Sequence, residues 1–243
     1  DVTSAWAVFS VMGPRSRELL GSLSGDSFAG REFRFGDSRV VDLDGIPVRA
    51  TRLTYVGELG WELYVPAELA VAAFERLTEQ VAGISPRLAG YYAIESLRLE
   101  KGYRAFGREL GPDTSPVQAG LSFTCKLGGP VPFRGREAVQ AQKAAGVSRR
   151  LVSLIVDDPA AYAWGGELLL RDGEPAGFAS SAAYGHTLGA TVLLGYVQRR
   201  DGGVADRDWL DRGRYQVAIG GQRYDARMSL RPPYDPDGER IRA

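Results

Sequence analysis

The chain of 243 residues has an ordinary globular composition, with 44% hydrophobic and 25% charged residues, and is long enough for one large or two modest domains. Its 30 basic side chains balance 30 acidic ones, so the charge predicts no nucleic-acid partner. A single cysteine, Cys125, excludes an internal disulfide and favours a cytoplasmic location. The apolar run from Ala5 to Met12 is too short to cross a bilayer and lacks signal-peptide flanks, so no membrane partner is expected.

The first part of the chain predicts strands followed by helices, which is an α+β order. The run that ends at Met12 is interpreted as a buried strand, and Pro14 as the first turn of a helix that carries Leu19, Leu20 and Leu23 and stops at Gly25. A three-stranded meander follows, with turn signals at Asp44-Gly45 and Gly57-Glu58. Its predicted strands are Arg31 to Leu43, Ile46 to Tyr55 and Gly60 to Val65.

Apolar residues at helical spacing then predict three helices. Pro66 opens the first, which carries Leu69, Ala73, Leu77 and Val81. The second carries Tyr91, Ile94 and Leu97, and a short third one lies near residues 136–144.

From Arg149 onward the helical periodicity disappears, and short strand-like runs alternate with glycine-rich turns. This texture predicts a small β-barrel or sandwich. We place the domain boundary near Gly146, which gives domains 1–146 and 147–243. The predicted strands are Leu151 to Val156, Glu167 to Leu170, Pro175 to Ala182, Ala190 to Val197, Tyr215 to Ile219 and Gln222 to Ala226.

The residue inventory excludes several familiar chemistries. His186 is the only histidine, and no Gly-x-Ser-x-Gly elbow is present, which disfavours a nucleophilic hydrolase. One histidine and one cysteine leave no set of nitrogen and sulfur ligands for zinc or iron, so no metal is expected. Neither a dinucleotide fingerprint nor a Walker A loop occurs.

Several motifs along the chain resemble the glycine-cleavage T-protein (aminomethyltransferase) family. The stretch from Arg52 to Leu63, with its Tyr-Val-Gly-Glu-Leu-Gly-Trp-Glu core, resembles the family's folate-site hairpin, and Ala93 to Gly107 resembles the helix that follows it. Ser115-Pro116, Ala119 to Phe123, Phe133 to Ala138, Tyr184 to Gly189 and Leu194 to Val197 are similar to later family segments. The sequence Glu-Lys-Gly-Tyr-Arg at residues 100–104 and the ending Pro232 to Pro236 look most like the C-terminal half of dimethylglycine and sarcosine dehydrogenases.

This resemblance implies a folate-binding α+β domain, incomplete at its amino terminus, followed by a small C-terminal β-barrel. It also implies the tetrahydrofolate-binding part of a one-carbon transfer enzyme, which accepts the carbon released by demethylation of an N-methylated glycine and forms 5,10-methylenetetrahydrofolate. The oxidation itself would belong to an amino-terminal FAD domain, in cis or as a separate subunit. The family's catalytic aspartate is expected upstream of Asp1, so no catalytic residue is expected in the chain itself.

The family motif assigns the folate site residue by residue. Glu62 takes the role of the carboxylate that accepts the paired amino and ring N–H donors of a reduced pterin. Tyr55 and Tyr103 would wall the pocket, Phe123 stands where the family often has tryptophan, and Trp164 lies where the barrel approaches the folate in relatives.

Other interpretations stay open at these positions. On pattern alone Glu62 is the outward residue of an alternating strand, and the tyrosines are core or edge aromatics. Arg98 is either a helix-surface partner of Glu95 or Glu100 or part of a buried ion pair, and His186 is interpreted as structural. Ile94 replaces a family arginine, so that ligand contact is missing or replaced. A non-catalytic folate-binding or regulatory module is the alternative function.

Overall fold

The computed structural model of the chain describes residues 1–80 and 83–243, which form two compact units. Unit 1 comprises Asp1–Ile94 and Asp237–Ala243, and unit 2 comprises Glu95–Pro236. The α+β class and the C-terminal barrel are confirmed. The domain boundary at residues 146 and 147 stays a prediction.

Unit 1 is built on a four-stranded antiparallel sheet with the order β1-β4-β3-β2. The predicted meander is therefore confirmed, with β1 added beside β4. Asp44 and Gly45 make the β2–β3 turn with φ values of 52° and 84°, as a two-residue hairpin of this type requires. The strands are β1 Trp6–Met12, β2 Ser38–Leu43, β3 Ile46–Thr51 and β4 Gly60–Pro66.

Two of the predicted strands were too long. Residues 31–37 and 52–59 lie outside the strands. Phe33 and Phe35 alternate with polar residues as they would in a strand, but Phe33 is a core residue that packs on Trp61 at 5.9 Å between ring centroids. Alternation alone does not distinguish such a packed turn from a strand.

Short helices cover the inner face of the sheet. Leu19 and Leu20 of the first helix and Ala73 and Leu77 of the second belong to one buried cluster with Trp61. The helix predicted to open at Pro66 is present, but Pro66 itself is the last residue of β4 and precedes a 3-10 turn, Ala67–Leu69, that leads into the α-helix at Ala70. Val81 lies outside the described residues. These two helices are α1 Ser16–Ser22 and α2 Ala70–Thr78, and single 3-10 turns span Thr3–Ala5 and Ala67–Leu69. A further helix, α3 Tyr91–Glu100, runs across the boundary of the two units.

Unit 2 contains a closed antiparallel barrel of six strands in the order β10-β5-β8-β7-β6-β9. The barrel is confirmed, and the sandwich alternative was wrong. Leu154, Leu169 and Leu193 are fully buried in its interior. The strands are β5 Arg149–Val156, β6 Leu168–Arg171, β7 Glu174–Gly185, β8 Ala190–Gln198, β9 Tyr215–Ile219 and β10 Gln222–Ser229.

The predicted third helix is confirmed as α4, Arg136–Ala145, and a 3-10 turn spans Ser122–Thr124. The expected absence of helix after Arg149 was wrong, since α5 spans Arg207–Arg212 and α6 spans Glu239–Arg242 in unit 1. Asp206 caps α5 by accepting the backbone N–H of Trp209 at 2.8 Å. Over residues 1–80 and 83–243, none of the helices has the length and apolar content needed to cross a membrane.

Candidate functional site

Glu62 lies on the outer face of the unit 1 sheet. In β4, Trp61, Leu63 and Val65 are buried, whereas Glu62 and Tyr64 are half-buried. Successive side chains of a strand point to opposite faces, so Glu62 and Tyr64 share the face that turns away from the core. The interpretation of Glu62 as an outward strand residue is therefore correct as geometry, and that geometry leaves its carboxylate accessible to a ligand.

Small hydroxyl side chains flank Glu62 on both neighbouring strands. Ser10 of β1 and Thr51 of β3 are its register partners, and residues directly opposite each other in an antiparallel pair share one face. Thr51 in turn exchanges a hydrogen bond of 2.9 Å with the hydroxyl of Ser38. The carboxylate thus sits in a polar row that crosses four strands.

Tyr64 supplies the hydrogen-bond partner of Glu62. Its hydroxyl donates to Oε2 of Glu62 at 2.9 Å, two residues along the same strand. The hydrogen bond to the neighbouring carboxylate raises the pKa of Tyr64, with a smaller contribution from burial. We did not single out Tyr64 from the sequence. Its spacing of two residues from Glu62 in an alternating strand was the signal that could have found it.

Tyr55 lies in the loop of residues 52–59 that precedes β4, and it is half-buried. Its backbone N–H points at the sulfur of Met12, at 3.5 Å. Met12 also lies against Gly60, where an added Cβ would come within 2.7 Å of the Met12 Cγ. The end of β1 therefore supports the loop that carries Tyr55, in the same compact unit as Glu62.

Tyr103 belongs to unit 2 and follows α3 directly. Its carbonyl accepts a hydrogen bond from Nη1 of Arg98 at 2.8 Å, and its N–H donates to the carbonyl of the same arginine. Burial raises the pKa of the Tyr103 hydroxyl, and the charge of Asp235 adds to the shift. Tyr103 is therefore fixed at its backbone by a buried arginine, and its ring is half-buried.

Phe123 and Trp164 are exposed aromatic side chains of unit 2, with 80% and 69% of their surface accessible. Phe123 lies in a 3-10 turn. The ring of Trp164 packs edge-on against Tyr162 with 5.0 Å between centroids. Glu167 anchors the backbone of this loop by accepting the N–H of Trp164 at 2.7 Å. These rings are available for contact on the surface of their unit, and their role at a folate remains a prediction.

A buried ion cluster surrounds Arg98 and decides between its two sequence interpretations. Arg98 and Glu109 are 0% exposed at their side chains, and their Nη1 and Oε2 atoms are 2.9 Å apart. Glu95 pairs with the other end of the guanidinium, as well as with Arg108. The buried ion pair is therefore correct. Glu109 was missed, because its distance of eleven residues from Arg98 matches no helical spacing.

His186, interpreted from the sequence as structural, lies in a turn whose backbone is held by a buried carboxylate. His186 is exposed in the β7–β8 turn and packs edge-on against Tyr184 at 5.2 Å. Backbone N–H groups of this turn, at Thr187 and Leu188, donate to Oε1 of the buried Glu100. Within the described part of the chain, no three His, Cys, Asp or Glu side chains are grouped to hold a metal ion.

Two family models match the chain over most of its length. The GCVT N-terminal domain matches residues 1–129, and the glycine cleavage T-protein C-terminal barrel domain matches residues 149–235. The chain belongs to the glycine cleavage T-protein family. The resemblance found in the folate-site hairpin and in the barrel is thus confirmed at the level of the family.

Relatives in this family are longer proteins. Mouse sarcosine dehydrogenase is 38% identical over 242 residues, which is 100% of this chain and 26% of the relative. Dimethylglycine dehydrogenases match as well. The pyruvate dehydrogenase phosphatase regulatory subunit of mouse is 34% identical over 96% of this chain and 28% of that protein. The chain spans about a quarter of these relatives, and the predicted resemblance to the C-terminal part of the dehydrogenases is confirmed.

A solved structure supports the fold independently. The glycine cleavage system aminomethyltransferase T of Bartonella henselae superposes with a TM-score of 0.62 at 19% identity, covering 96% of this chain and 85% of that one. At this identity the likeness is one of fold.

Proposed function

We propose that the chain is the tetrahydrofolate-binding part of a one-carbon transfer enzyme. Its role would be to hold the folate that accepts the carbon released from an N-methylated glycine, giving 5,10-methylenetetrahydrofolate. The observation that carries this proposal is the carboxylate of Glu62, presented on the outer face of the sheet within the family's folate-site motif.

The chemistry around Glu62 fits a reduced pterin. The ring edge offers an amino group and a ring N–H side by side, and an ionised carboxylate accepts two such donors at once. In the described residues, the one hydrogen bond that Glu62 accepts comes from Tyr64, so acceptor positions remain on both oxygens. When bound, tetrahydrofolate supplies the nitrogen that takes up the one-carbon unit.

The outer face also offers an apolar surface beside the carboxylate. Trp6 and Val8 of β1 and Val40 of β2 share this face with Glu62 by register, and they are 41%, 50% and 60% exposed. Large apolar side chains grouped on one exposed face are typical of a surface that binds something. We assign to Glu62 the binding and orientation of the pterin edge. Tyr55 is proposed as a wall beside Glu62, and the family resemblance alone proposes Tyr103, Phe123 and Trp164 as folate contacts.

Within the proposed function, the amine oxidation would belong to an FAD-containing domain, in cis or as a separate subunit. The residues of this chain would then contribute binding and orientation, which raise the rate by placing the reacting atoms together. The compartment proposed from the composition is the cytoplasm, although the names of the vertebrate relatives place those proteins in mitochondria.

Calorimetry with tetrahydrofolate tests the binding role directly. Glu62→Ala is expected to weaken the affinity at least tenfold, about 1.4 kcal/mol, because the paired N–H donors lose their charged acceptor. Glu68→Ala removes an exposed carboxylate from the turn after β4 and should leave the affinity unchanged. An unchanged dissociation constant in the Glu62 variant would contradict the assignment.

A non-catalytic folate-binding or regulatory module is the second candidate. The relative whose name describes a regulatory subunit favours it, since that protein matches almost the whole chain. The complete gene product, supplied with sarcosine or dimethylglycine and tetrahydrofolate, separates the two functions. Formation of methylenetetrahydrofolate supports the enzyme, whereas folate binding without turnover supports the module.

A further inference from the structure

The hydrogen bond from Tyr64 to Glu62 also restrains the orientation of the carboxylate. The two residues lie on one face of β4, and the tyrosine hydroxyl reaches back to Oε2 of the carboxylate at 2.9 Å. A glutamate at a half-exposed strand position samples several rotamers unless a partner holds it. Among the described residues, its register neighbours Ser10 and Thr51 make no hydrogen bond to it, and Tyr64 does.

We propose that Tyr64 is the positioning residue of the folate site, because its hydroxyl holds the Glu62 carboxylate in one orientation before the ligand arrives. This inference rests on the function proposed above. It adds a residue outside the family-assigned set and assigns it a task distinct from ligand contact.

Lone-pair geometry allows both partners at once. A carboxylate has about four acceptor positions on its two oxygens, and the Tyr64 hydroxyl occupies one of them, on Oε2. Acceptor positions stay available on Oε1 and on Oε2, as a bidentate pair of N–H donors requires. Preorganisation of this kind improves affinity, since the rotamer freedom of the side chain is lost before binding.

Tyr64 is a neutral hydrogen-bond partner for Glu62, and the neighbouring strands place one charged side chain beside the pair. On β3, Arg49 is the register partner of Tyr64 and is exposed, whereas β1 places the uncharged Val8 and Ser10 beside the pair. A donor that stays neutral and hydrogen-bonds the carboxylate stabilises its ionised form. The raised pKa of Tyr64 has the same origin, since the hydroxyl proton is shared with the carboxylate.

The test compares Tyr64→Phe with a matched control in the same chain. Tyr224 donates its hydroxyl to Oε1 of Gln222 at 2.9 Å, again two residues away on one strand, so Tyr224→Phe removes an equivalent bond far along the chain. Calorimetry with tetrahydrofolate should show at least a fivefold weaker affinity for Tyr64→Phe and no change for Tyr224→Phe. An affinity unchanged in both variants would overturn the positioning role.

A second measurement needs no ligand. In protein carrying ¹³C-labelled glutamate, the Glu62 signals are assigned by their loss in Glu62→Gln, and the populations of its side-chain rotamers are measured by NMR. One rotamer should dominate in the wild-type chain and in Tyr224→Phe, whereas several should be populated in Tyr64→Phe. Rotamer populations that do not change in Tyr64→Phe show that the hydroxyl does not hold Glu62, which refutes the proposal.

The outcomes separate the two proposals. If Glu62→Ala weakens folate binding but Tyr64→Phe changes neither the affinity nor the rotamer populations of Glu62, the folate site stands and the positioning role falls. If the wild-type chain binds no tetrahydrofolate, the proposed function falls and the ligand role of Tyr64 falls with it. A change in the rotamer populations then still supports the restraint of Glu62 by Tyr64.

Discussion

Replacing Arg98 by methionine should destabilise unit 2 by several kcal/mol, because the side chain is fully buried between two carboxylates. Nη1 lies 2.8 Å from the carbonyl of Tyr103 and 2.9 Å from Oε2 of Glu109, and Nη2 lies 2.6 Å from the hydroxyl of Ser181. Nε and Nη2 also bind the carboxylate of Glu95. All five N–H donors of the guanidinium are therefore used.

The magnitude follows from what each carboxylate keeps after the substitution. Glu95 retains its pair with Arg108, which is 40% exposed. Glu109 loses the one ion pair that the described residues give it within 4.0 Å, whereas the charge of Arg104 still acts on it and it still accepts from the hydroxyls of Ser180 and Ser181 and from the N–H of Ala105. Breaking a buried pair typically costs about 3–5 kcal/mol, and the three remaining donors place the expected loss near the lower end, about 3 kcal/mol.

Urea unfolding, combined with hydrogen exchange of the amides in β7 and β8, measures this loss for the barrel unit. Arg212→Met is the control, because Arg212 and Asp208 form a pair whose side chains are 79% and 78% exposed. Its cost should stay below about 1 kcal/mol. The double variant Arg98→Met with Glu109→Gln should recover part of the loss, since it removes the uncompensated charge. A loss equal to that of the control would refute the reasoning.

Two further predictions concern the barrel unit. Gly177→Ala would bring its Cβ within 1.8 Å of the carbonyl oxygen of Tyr196, so we expect no folded barrel by circular dichroism, whereas Gly111→Ala, at an open position, should fold normally. The carboxyl of Asp201 should titrate by NMR at about 2, because Arg199 and a backbone N–H bind its charged form. This lowered pKa gives a stabilisation that is present above the usual value of 3.8 and is lost as the pH falls through about 2. Arg199→Gln should return the midpoint toward 3.8, and a wild-type midpoint already there would contradict the assignment.

The elements that the sequence predicted well are those whose pattern is local. Alternation defines β4 and a continuous apolar run defines the buried strand β8, and the Asp44-Gly45 dipeptide predicts the β2–β3 hairpin through its positive φ values. The helix was predicted to begin at Pro66, which is the last residue of β4. The preference of proline for the first helical position does not distinguish a helix start from the end of a strand. Helix α5 was not predicted, because it is short and its apolar pattern is a single turn around the buried Leu210.

In the candidate site too, the features found from the sequence are those with a local pattern. Glu62 was found through a motif, and its outward direction through strand alternation, both of which are local. Glu109, the partner of Arg98, was not found from the sequence. It lies in the irregular segment after α3, and no spacing rule predicts a contact made by such a loop. Tertiary packing around a charge is invisible to periodicity, since burial depends on elements far apart in the chain.

Glu62 and Glu109 show why a carboxylate's partners matter more than its place in a motif. Glu109 accepts four hydrogen bonds, one of them from a buried guanidinium, and so has no capacity left for a ligand. Among the described residues, Glu62 accepts one, from a neutral hydroxyl, on an outer face where acceptor positions remain. A saturated buried carboxylate stabilises a fold, whereas a half-satisfied one at the surface can bind donors brought by a ligand. This difference in hydrogen-bond saturation supports the proposed role of Glu62 in binding the folate.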